Sequence, residues 1–201
     1  MSIFHSSFLP LHSILEMDRQ LLLAANRAHS PALDAFMVFA SNRTVWFPAY
    51  VVLIIWLIFH FRRRGVLLLP LIFAAVSLAD SITSRVFKPY FARPRPCHDA
   101  LVAPLLRLPD GCGGQFGFLS SHAANSVALA AFVWTVLPKG RFIWLKVGVS
   151  LWAALLSYSR LYLGAHYPTD VLGGAAVGAL LGWGGAVLYN RLAPRWWPVH
   201  T

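Results

Sequence analysis

The segment Val171–Asn190 reads VLGGAAVGALLGWGGAVLYN and contains no charged residue. About 20 mostly apolar residues are enough for an α-helix to cross the hydrocarbon core of a bilayer. Gly174, Gly178 and Gly182 recur every four residues, so they lie on one face of such a helix. Small residues on one face allow a second helix to approach closely. The segment therefore predicts a membrane-spanning helix that packs tightly against a neighbour.

Four more segments of the chain have a similar apolar character. They are Trp46–Phe61, Gly65–Ala79 with a helical continuation to Phe87, Leu119–Leu137 and Phe142–Ser159. We find no internal repeat and no linker, so one domain is expected over residues 1–201, with a transmembrane core at 45–191. The predicted fold class is all-α, a polytopic transmembrane helical bundle with five to six spans.

Charges interrupt the apolar runs of residues 1–44 too often for a well-defined span. The stretch Asp18–Ala28 reads as a short amphipathic helix. Ser30 then supplies an N-cap and Pro31 the first position of a second short helix, which runs toward Ala40. We expect an interfacial helical hairpin here, with a sixth span as the alternative.

The composition narrows the class of protein. Apolar residues make up 58% of the chain and charged residues 12%, against roughly 25% charged in an ordinary soluble domain. These values exclude a disordered chain, a coiled coil and most soluble enzymes. The net charge is +10, but so apolar a chain has too little polar surface for nucleic acid, so anionic lipid or phosphate is the expected partner. No basic region precedes an apolar stretch at the N-terminus, so no cleavable signal peptide is expected.

The distribution of basic residues predicts which side of the membrane each loop faces. With five alternating spans, one side carries eight Lys and Arg residues, including Arg62–Arg64 and those of Lys139–Lys146, and the other carries seven. Three of these seven residues, Lys88, Arg95 and Arg160, are candidates for the chemistry of a site and are left out of the count. Four basic residues then remain on that side. The positive-inside rule then places the triple-arginine loop in the cytoplasm.

Cys97 and Cys112 fall in one polar stretch between apolar segments, and their spacing matches no zinc motif. If this stretch lies outside the cytoplasm, a disulfide between them is one reading. Two unpaired thiols are the other reading, and the spacing alone does not choose between them.

Most polar residues capable of chemistry lie in three short segments, at residues 88–96, 119–122 and 159–170. Each segment lies at the end of an apolar run, on the side opposite the triple arginine. The helices would therefore bring together, at one membrane surface, residues that are far apart in sequence.

The basic and hydroxyl residues of these segments suit a phosphate group. An arginine can donate two parallel hydrogen bonds to the oxygens of a phosphate group, and a lysine attracts the phosphate as a point charge. Arg95 and Arg160 could act in the first way and Lys88 in the second. Ser120 and Ser121 precede a long apolar run, so they would begin a helix whose free N–H groups point at an anion. Together these groups predict a phosphate-binding cradle.

Two histidines supply the remaining chemistry. His166 lies four residues before Asp170, whose carboxylate can hold one ring nitrogen as N–H and leave the other as a free lone pair. His166 is therefore the candidate nucleophile, and His122 suits the acid that protonates a leaving oxygen. The sequence has no carboxylate cluster for Mg²⁺ or Ca²⁺ and no zinc-type spacing, so we expect metal-independent chemistry without a cofactor.

In these residues the chain resembles the type 2 phosphatidic acid phosphatase family, whose pattern is K-x6-RP, then PSGH, then SR-x5-H-x3-D. Residues 88–96 match the first motif and residues 159–170 match the third in full. The second motif departs from the pattern because Leu119 replaces its proline and Ser121 replaces its glycine. The layout is similar to that of small bacterial undecaprenyl-diphosphate phosphatases of the family.

The resemblance implies a lipid phosphatase that works through a phosphohistidine. His166 would be the nucleophile, His122 the acid and Asp170 the residue that orients His166. The phosphate would bind to the remaining polar residues of the motifs, Lys88, Arg95, Ser120, Ser121 and Arg160. Undecaprenyl diphosphate is the expected substrate, with phosphatidylglycerol phosphate, phosphatidic acid and lipid A phosphate as alternatives.

Further expectations concern the class of protein, two other arginines and the location in the cell. A non-catalytic lipid-binding or lipid-transport membrane protein that reuses the cradle is the alternative class. Arg93 and Arg107 read as surface or loop charges rather than phosphate ligands. A multi-pass protein of the bacterial cytoplasmic (inner) membrane is expected, with its site facing the periplasm, and no pattern predicts an oligomeric state.

Overall fold

The computed structural model describes residues 9–196. Its helices are α1 (Leu9–Arg27), α2 (Pro31–Ser41), α3 (Phe47–Phe61), α4 (Gly65–Ser81), α5 (Lys88–Phe91), α6 (Ser121–Val136), α7 (Ile143–Tyr162) and α8 (Pro168–Trp196). Over these described residues, pairing of the β type is limited to an isolated bridge between Pro94 and Phe116. The prediction of an all-α fold is confirmed.

Helices α3 and α4 form a hairpin that turns at the triple arginine. Arg62 at the turn has a φ of 49°, in the left-handed region that lets a helix end and the chain change direction. Leu57 of α3 and Leu68 of α4 are both buried and belong to one apolar cluster. The start of α3 and the end of α4 therefore lie at the same end of the bundle.

Two helical stretches within the described residues, Arg43–Phe91 and Pro168–Pro194, are long and apolar enough to cross a membrane. Large apolar side chains on both stretches point away from the bundle, since Phe59 of the first is 77% exposed and Leu180 of the second is 67% exposed. Apolar surface of this extent is unfavourable in water and suits contact with lipid chains. The fold is a membrane helical bundle, and the number of spans stays a prediction.

Glycines on α8 bring that helix into close contact with α6, as the sequence predicts. A β-carbon on Gly178 would overlap the carbonyl oxygen of Ala124, and one on Gly182 would overlap that of Ala128. Ala124 and Ala128 are themselves fully buried. The two helix backbones therefore touch over several turns, and this contact fixes the position of α6 relative to α8.

The two ends of the bundle carry different polar residues. At one end His60 of α3 lies against Phe142, with ring centroids 4.8 Å apart, close to the Arg62–Arg64 turn. Lys146 is buried near this end, where its ammonium group donates to the carbonyl oxygen of Leu137 at 3.1 Å. This bond satisfies an otherwise unpaired carbonyl at the C-terminus of α6. The three motifs lie at the opposite end.

The N-terminal hairpin of α1 and α2 docks on the motif end. Ser30 caps α2 with its side chain and Pro31 is the first residue of that helix, as predicted. Asn26 donates to the carbonyl oxygen of Tyr162 at 2.7 Å, and the Tyr162 hydroxyl donates to Asp34 at 2.6 Å. Buried hydrogen bonds between distant parts of the chain therefore hold the hairpin against α7.

Helix α1 is longer than the sequence predicts. The prediction that it begins at Asp18 is wrong, because the apolar residues Ile14, Leu15 and Met17 continue the helix toward Leu9. These three side chains are all exposed, which gives α1 an outward apolar face typical of an interfacial helix. The interfacial position stays a prediction, and residues 1–8 of the expected N-terminal segment lie outside the described residues.

Candidate active site

Direct hydrogen bonds join the three motifs. Lys88 of the first motif donates through Nζ to the Oγ atom of Ser121 in the second, at 3.3 Å. The backbone N–H of Ser120 in the second motif donates to the carbonyl oxygen of Asp170 in the third, at 2.9 Å. Residues separated by up to 82 positions therefore meet at one place, as the three motifs predict.

Arg95 is the second basic residue of the first motif, and the loop around it orients its guanidinium group. Its backbone N–H donates to the carbonyl oxygen of Gln115 at 2.9 Å, beside the bridge between Pro94 and Phe116. The guanidinium donates through Nε to Phe116 O at 3.3 Å and through one terminal nitrogen to Ala165 O at 3.5 Å. The side chain therefore lies between the first motif and the segment that carries His166.

Cys97 and Cys112 are joined in a disulfide, with Cα atoms 5.9 Å apart. The disulfide lies directly next to the pairing of Arg95 with Gln115, at the base of the loop between them, so it restrains the backbone that carries Arg95. His98 lies beside the pair, with Nε2 3.4 Å from the Cys112 sulfur, and the three side chains are close enough together to hold a metal ion. The thiolates that would bind a metal are consumed by the disulfide, so this group does not fit a metal site in the oxidised protein.

Arg160 is buried, with 9% of its surface exposed. One terminal nitrogen donates to the hydroxyl of Ser41 on α2 and lies 3.7 Å from a carboxylate oxygen of Asp110. Its Nε atom is also buried and makes no hydrogen bond to any part of the chain that the structure describes. An unpaired buried donor is costly, and a phosphate oxygen would satisfy it.

The N-terminus of α6 forms the floor of the cradle. Ser120 is the N-cap, and its hydroxyl accepts from the backbone N–H of Ala123 at 3.5 Å. Ser121, which stands where the family pattern has glycine, hydrogen-bonds through its hydroxyl to Thr83 at 2.9 Å. Thr83 belongs to a π-helical segment, Ile82–Phe87, that precedes Lys88. The departure from the family pattern therefore ties α6 to the helix that carries the motif lysine.

His166 lies in the turn between α7 and α8 and is 1% exposed. Its Nδ1 atom is 3.6 Å from Oδ2 of Asp170, just beyond hydrogen-bond range. Burial lowers the pKa of His166 to about 4, and the positive charges of Arg95 and Arg160 act in the same direction, whereas Asp170 opposes them. The imidazole is therefore neutral at pH 7, the state in which a ring nitrogen has a free lone pair.

His122 lies in the first turn of α6 and is within electrostatic range of Lys88, Arg160 and His166. It also lines a cavity of about 560 Å³ between α3, α4, α6 and α7. The charged and amide groups of the cavity, Arg43 and Asn125, lie at the same end as His122, and most of the remaining wall is apolar. A molecule with one polar end and a hydrocarbon chain matches this distribution.

Two residues of the site are not predicted as part of it. The interpretation of Arg93 as a surface charge is wrong, because its guanidinium donates to Asp170 at 2.8 Å and to Asp18 at 2.7 Å. Asp18 is 3% exposed. The available signals were the position of Arg93 inside the first motif and a charged cluster around Asp18 in α1, and neither shows that the two side chains meet.

Comparison with known proteins agrees with the motifs. A family model described as the PAP2 superfamily matches residues 68–197. The lipid A 4'-phosphatase of Bacteroides thetaiotaomicron is 36% identical over 183 residues, which cover 90% of this chain and 80% of that protein. Undecaprenyl-diphosphatase BcrC of Bacillus subtilis is 27% identical over 157 residues, which cover 77% of this chain and 74% of that protein.

A solved structure has the same fold. The transmembrane PAP2-type phosphatidylglycerolphosphate phosphatase of Bacillus subtilis matches with a TM-score of 0.65, over 98% of this chain and 91% of that chain, at 22% identity. The family match includes all three motifs and more than half of the chain. The chain therefore belongs to the PAP2 superfamily, as its three motifs predict.

Proposed function

We propose that this PAP2 phosphatase removes a phosphate group from a membrane lipid through a phosphohistidine on His166, without a metal ion. The observation that carries the proposal is one buried, neutral imidazole within electrostatic range of Arg95 and Arg160, with Lys88 in turn within electrostatic range of both arginines. Positive groups of this kind stabilise the negative charge on a phosphoryl group during transfer. The unpaired Nε of Arg160 supplies a donor that a phosphate oxygen would accept.

The reaction has two steps. In the first, the Nε2 lone pair of His166 forms a bond to phosphorus, the bond from phosphorus to the lipid oxygen breaks, and His122 gives that oxygen a proton. In the second, a water oxygen attacks phosphorus, the N–P bond breaks, and the water proton passes to His122. Asp170 faces Nδ1 of His166 at 3.6 Å and, on closing to hydrogen-bond distance, keeps that nitrogen as N–H, so that Nε2 has the reactive lone pair.

The substrate we propose first is a phosphomonoester on a glycolipid of the lipid A type. The support is the 36% identity to a lipid A 4'-phosphatase over 90% of the chain. Undecaprenyl diphosphate is the second candidate, supported by 27% identity to an undecaprenyl-diphosphatase over 77% of the chain. In either case a hydrocarbon chain would lie in the apolar cavity that reaches His122.

We also propose that the site faces the periplasm of a bacterial inner membrane. The disulfide of Cys97 and Cys112 lies in the loop beside the motifs, and disulfides persist in oxidising compartments rather than in the cytoplasm. The triple arginine lies at the other end of the bundle, in agreement with the positive-inside rule.

The test is phosphate release by the full chain in detergent micelles that contain EDTA. We expect hydrolysis of a lipid A phosphomonoester at a higher kcat/KM than hydrolysis of undecaprenyl diphosphate. His166→Ala should abolish turnover while the protein stays folded, and His29→Ala, which alters an exposed histidine of the N-terminal hairpin, should retain it. Loss of activity on chelation would refute the metal-independent reaction.

A trapping experiment separates catalysis from lipid binding. Acid-labile, base-stable phosphate should accumulate on wild-type protein during turnover and be absent from His166→Ala. If the wild type binds the lipid but neither releases phosphate nor becomes labelled, the non-catalytic alternative is correct.

A further inference from the structure

Helix α1 lies outside the segment matched by the family model, yet it contributes a buried carboxylate next to the candidate active site. Asp18 is 3% exposed. Its Oδ1 atom accepts from the backbone N–H of Thr169 at 2.9 Å, and its Oδ2 atom accepts from the Thr169 hydroxyl. Thr169 is the second residue of α8, so Asp18 occupies the N-terminus of the helix that carries Asp170.

Arg93 connects Asp18 to Asp170. One terminal nitrogen donates to Asp18 at 2.7 Å and the other donates to Asp170 Oδ1 at 2.8 Å. The guanidinium also lies over the ring of Tyr167, 4.2 Å from its centroid. The other oxygen of Asp170 accepts from the Tyr167 N–H at 3.0 Å and faces His166. An unbroken series of contacts therefore runs from α1 to the candidate nucleophile.

A second contact holds α1 in the same place. Arg19, the next residue of the helix, donates to Asp99 at 3.4 Å, and Asp99 also accepts from the Tyr167 hydroxyl at 2.8 Å. Asp18 therefore contacts Thr169 directly and Arg19 reaches Tyr167 through Asp99, so two consecutive residues of α1 are tied to the segment that follows His166.

We propose that Asp18 is a positioning residue for the phosphatase reaction, acting through Arg93 and Thr169 to hold the carboxylate of Asp170 toward Nδ1 of His166. This inference rests on the proposed function, since it assigns the residues that support the nucleophile. It extends the site to a helix that lies outside the three motifs.

Charge balance gives the physical reason. Arg93 has one positive charge and lies between two buried carboxylates, at 2.7 Å and 2.8 Å. Without the charge on Asp18, Arg93 interacts more strongly with Asp170 and weakens that carboxylate as an acceptor for the Nδ1 proton of His166. The Nε2 atom of His166 then has a less basic lone pair and is a weaker nucleophile.

The test compares Asp18→Asn with Glu16→Gln, which makes the same change of acid to amide on the exposed face of α1. Asp18→Asn should lower kcat by about 10- to 100-fold, as loss of a partner that orients a functional group does. KM should change less than about threefold, because the phosphate-binding residues are untouched. Glu16→Gln should leave both constants at wild-type values, and an unchanged kcat in Asp18→Asn would overturn the proposal.

A spectroscopic readout separates positioning from stability alone. The ¹⁵N spectrum of His166 in the full chain, without substrate, should show an Nδ1–H tautomer in the wild type and a mixture of tautomers in Asp18→Asn. A lower kcat with an unchanged His166 spectrum would mean a merely structural role and would also overturn the proposal. If wild-type protein releases no phosphate, the proposed function fails, while the spectra still report whether Asp18 controls His166.

Arg93→Lys covers the case in which Asp18→Asn does not fold. It keeps a positive charge beside the two buried carboxylates, but a lysine ammonium lacks the two terminal nitrogens with which Arg93 joins Asp18 to Asp170. Arg93→Lys should fold and show the same loss of kcat and of the single tautomer. Wild-type kcat and a wild-type His166 spectrum in this protein would overturn the proposal.

Discussion

At the scale of the residue, the decisive property of the site is that its candidate nucleophile is a buried histidine surrounded by cations. Burial and the positive charges of Arg95 and Arg160 both disfavour the imidazolium form of His166. The same positive charges attract phosphate. One arrangement would therefore serve phosphate binding and keep the candidate nucleophile unprotonated, and Asp170 limits how far the pKa of the ring falls.

This arrangement predicts the titration of His166. The pKa of His166 is lowered to about 4, so the ring should remain neutral from pH 7 down to about pH 5, where an ordinary histidine with a pKa of about 6.5 is protonated. Protonation occurs only as the pH falls through the lowered pKa, and it removes the lone pair. The measurement is a ¹⁵N titration of the phosphate-free protein, with His166→Gln to assign the signal. A midpoint near pH 6.5 would contradict the prediction.

The basic residues of the cradle can be predicted from the sequence. The buried residues that contact the site from other helices cannot. Lys88, Arg95 and Arg160 can be selected because each lies at the end of an apolar segment in a recognisable motif. The contact of Asp18 with Arg93 joins residues 75 positions apart, and no periodicity or spacing reports that contact. A charge in a loop and a charge in a buried pair have the same appearance in a sequence.

At the scale of the element, the contact of α6 with α8 sets the geometry of the site. Ser120 caps the N-terminus of α6 and Asp170 lies in the first turn of α8, and a backbone hydrogen bond of 2.9 Å joins them. The glycine positions allow the two helices to lie close enough for this bond. The sequence predicts this packing because the regular spacing of glycine determines which face of the helix is small.

A methyl group at Gly178 should therefore destabilise the protein. In Gly178→Ala the new β-carbon would overlap the carbonyl oxygen of Ala124, a backbone atom that cannot rotate away. Overpacking of this kind costs about 1–3 kcal/mol, and the shift of α6 should also reduce kcat. The measurement is thermal unfolding in detergent micelles together with phosphate release.

Gly184→Ala is the matched control on the same helix. A β-carbon at Gly184 meets no atom within 4 Å, and alanine is the better helix former by about 1 kcal/mol. The control should have wild-type or slightly higher stability and normal turnover. Equal unfolding temperatures for the two variants would show that the α6–α8 backbone contact is less close than the structure has it.

At the scale of the whole molecule, the motif residues and the triple arginine lie at opposite ends of the bundle. The motifs, the disulfide and the N-terminal hairpin lie at one end of the bundle, and the Arg62–Arg64 turn lies at the other. The raw count of basic residues nearly balances the two ends, and three of the cations at the motif end are the proposed phosphate ligands Lys88, Arg95 and Arg160. Composition alone therefore predicts a membrane protein, but the orientation depends on knowing which charges belong to the site.

The orientation can be tested with single cysteines placed at the two ends. Arg27→Cys lies at the exposed end of α1, on the motif side, and Lys139→Cys lies in the exposed loop between α6 and α7. The native cysteines are joined in the disulfide and do not react with maleimide. In cells whose outer membrane is permeable to the reagent, a maleimide that does not cross the inner membrane should label Arg27→Cys at once. It should label Lys139→Cys only after the inner membrane is opened. The reverse pattern would place the motifs in the cytoplasm, where the disulfide would be reduced and the proposed periplasmic lipid would be out of reach.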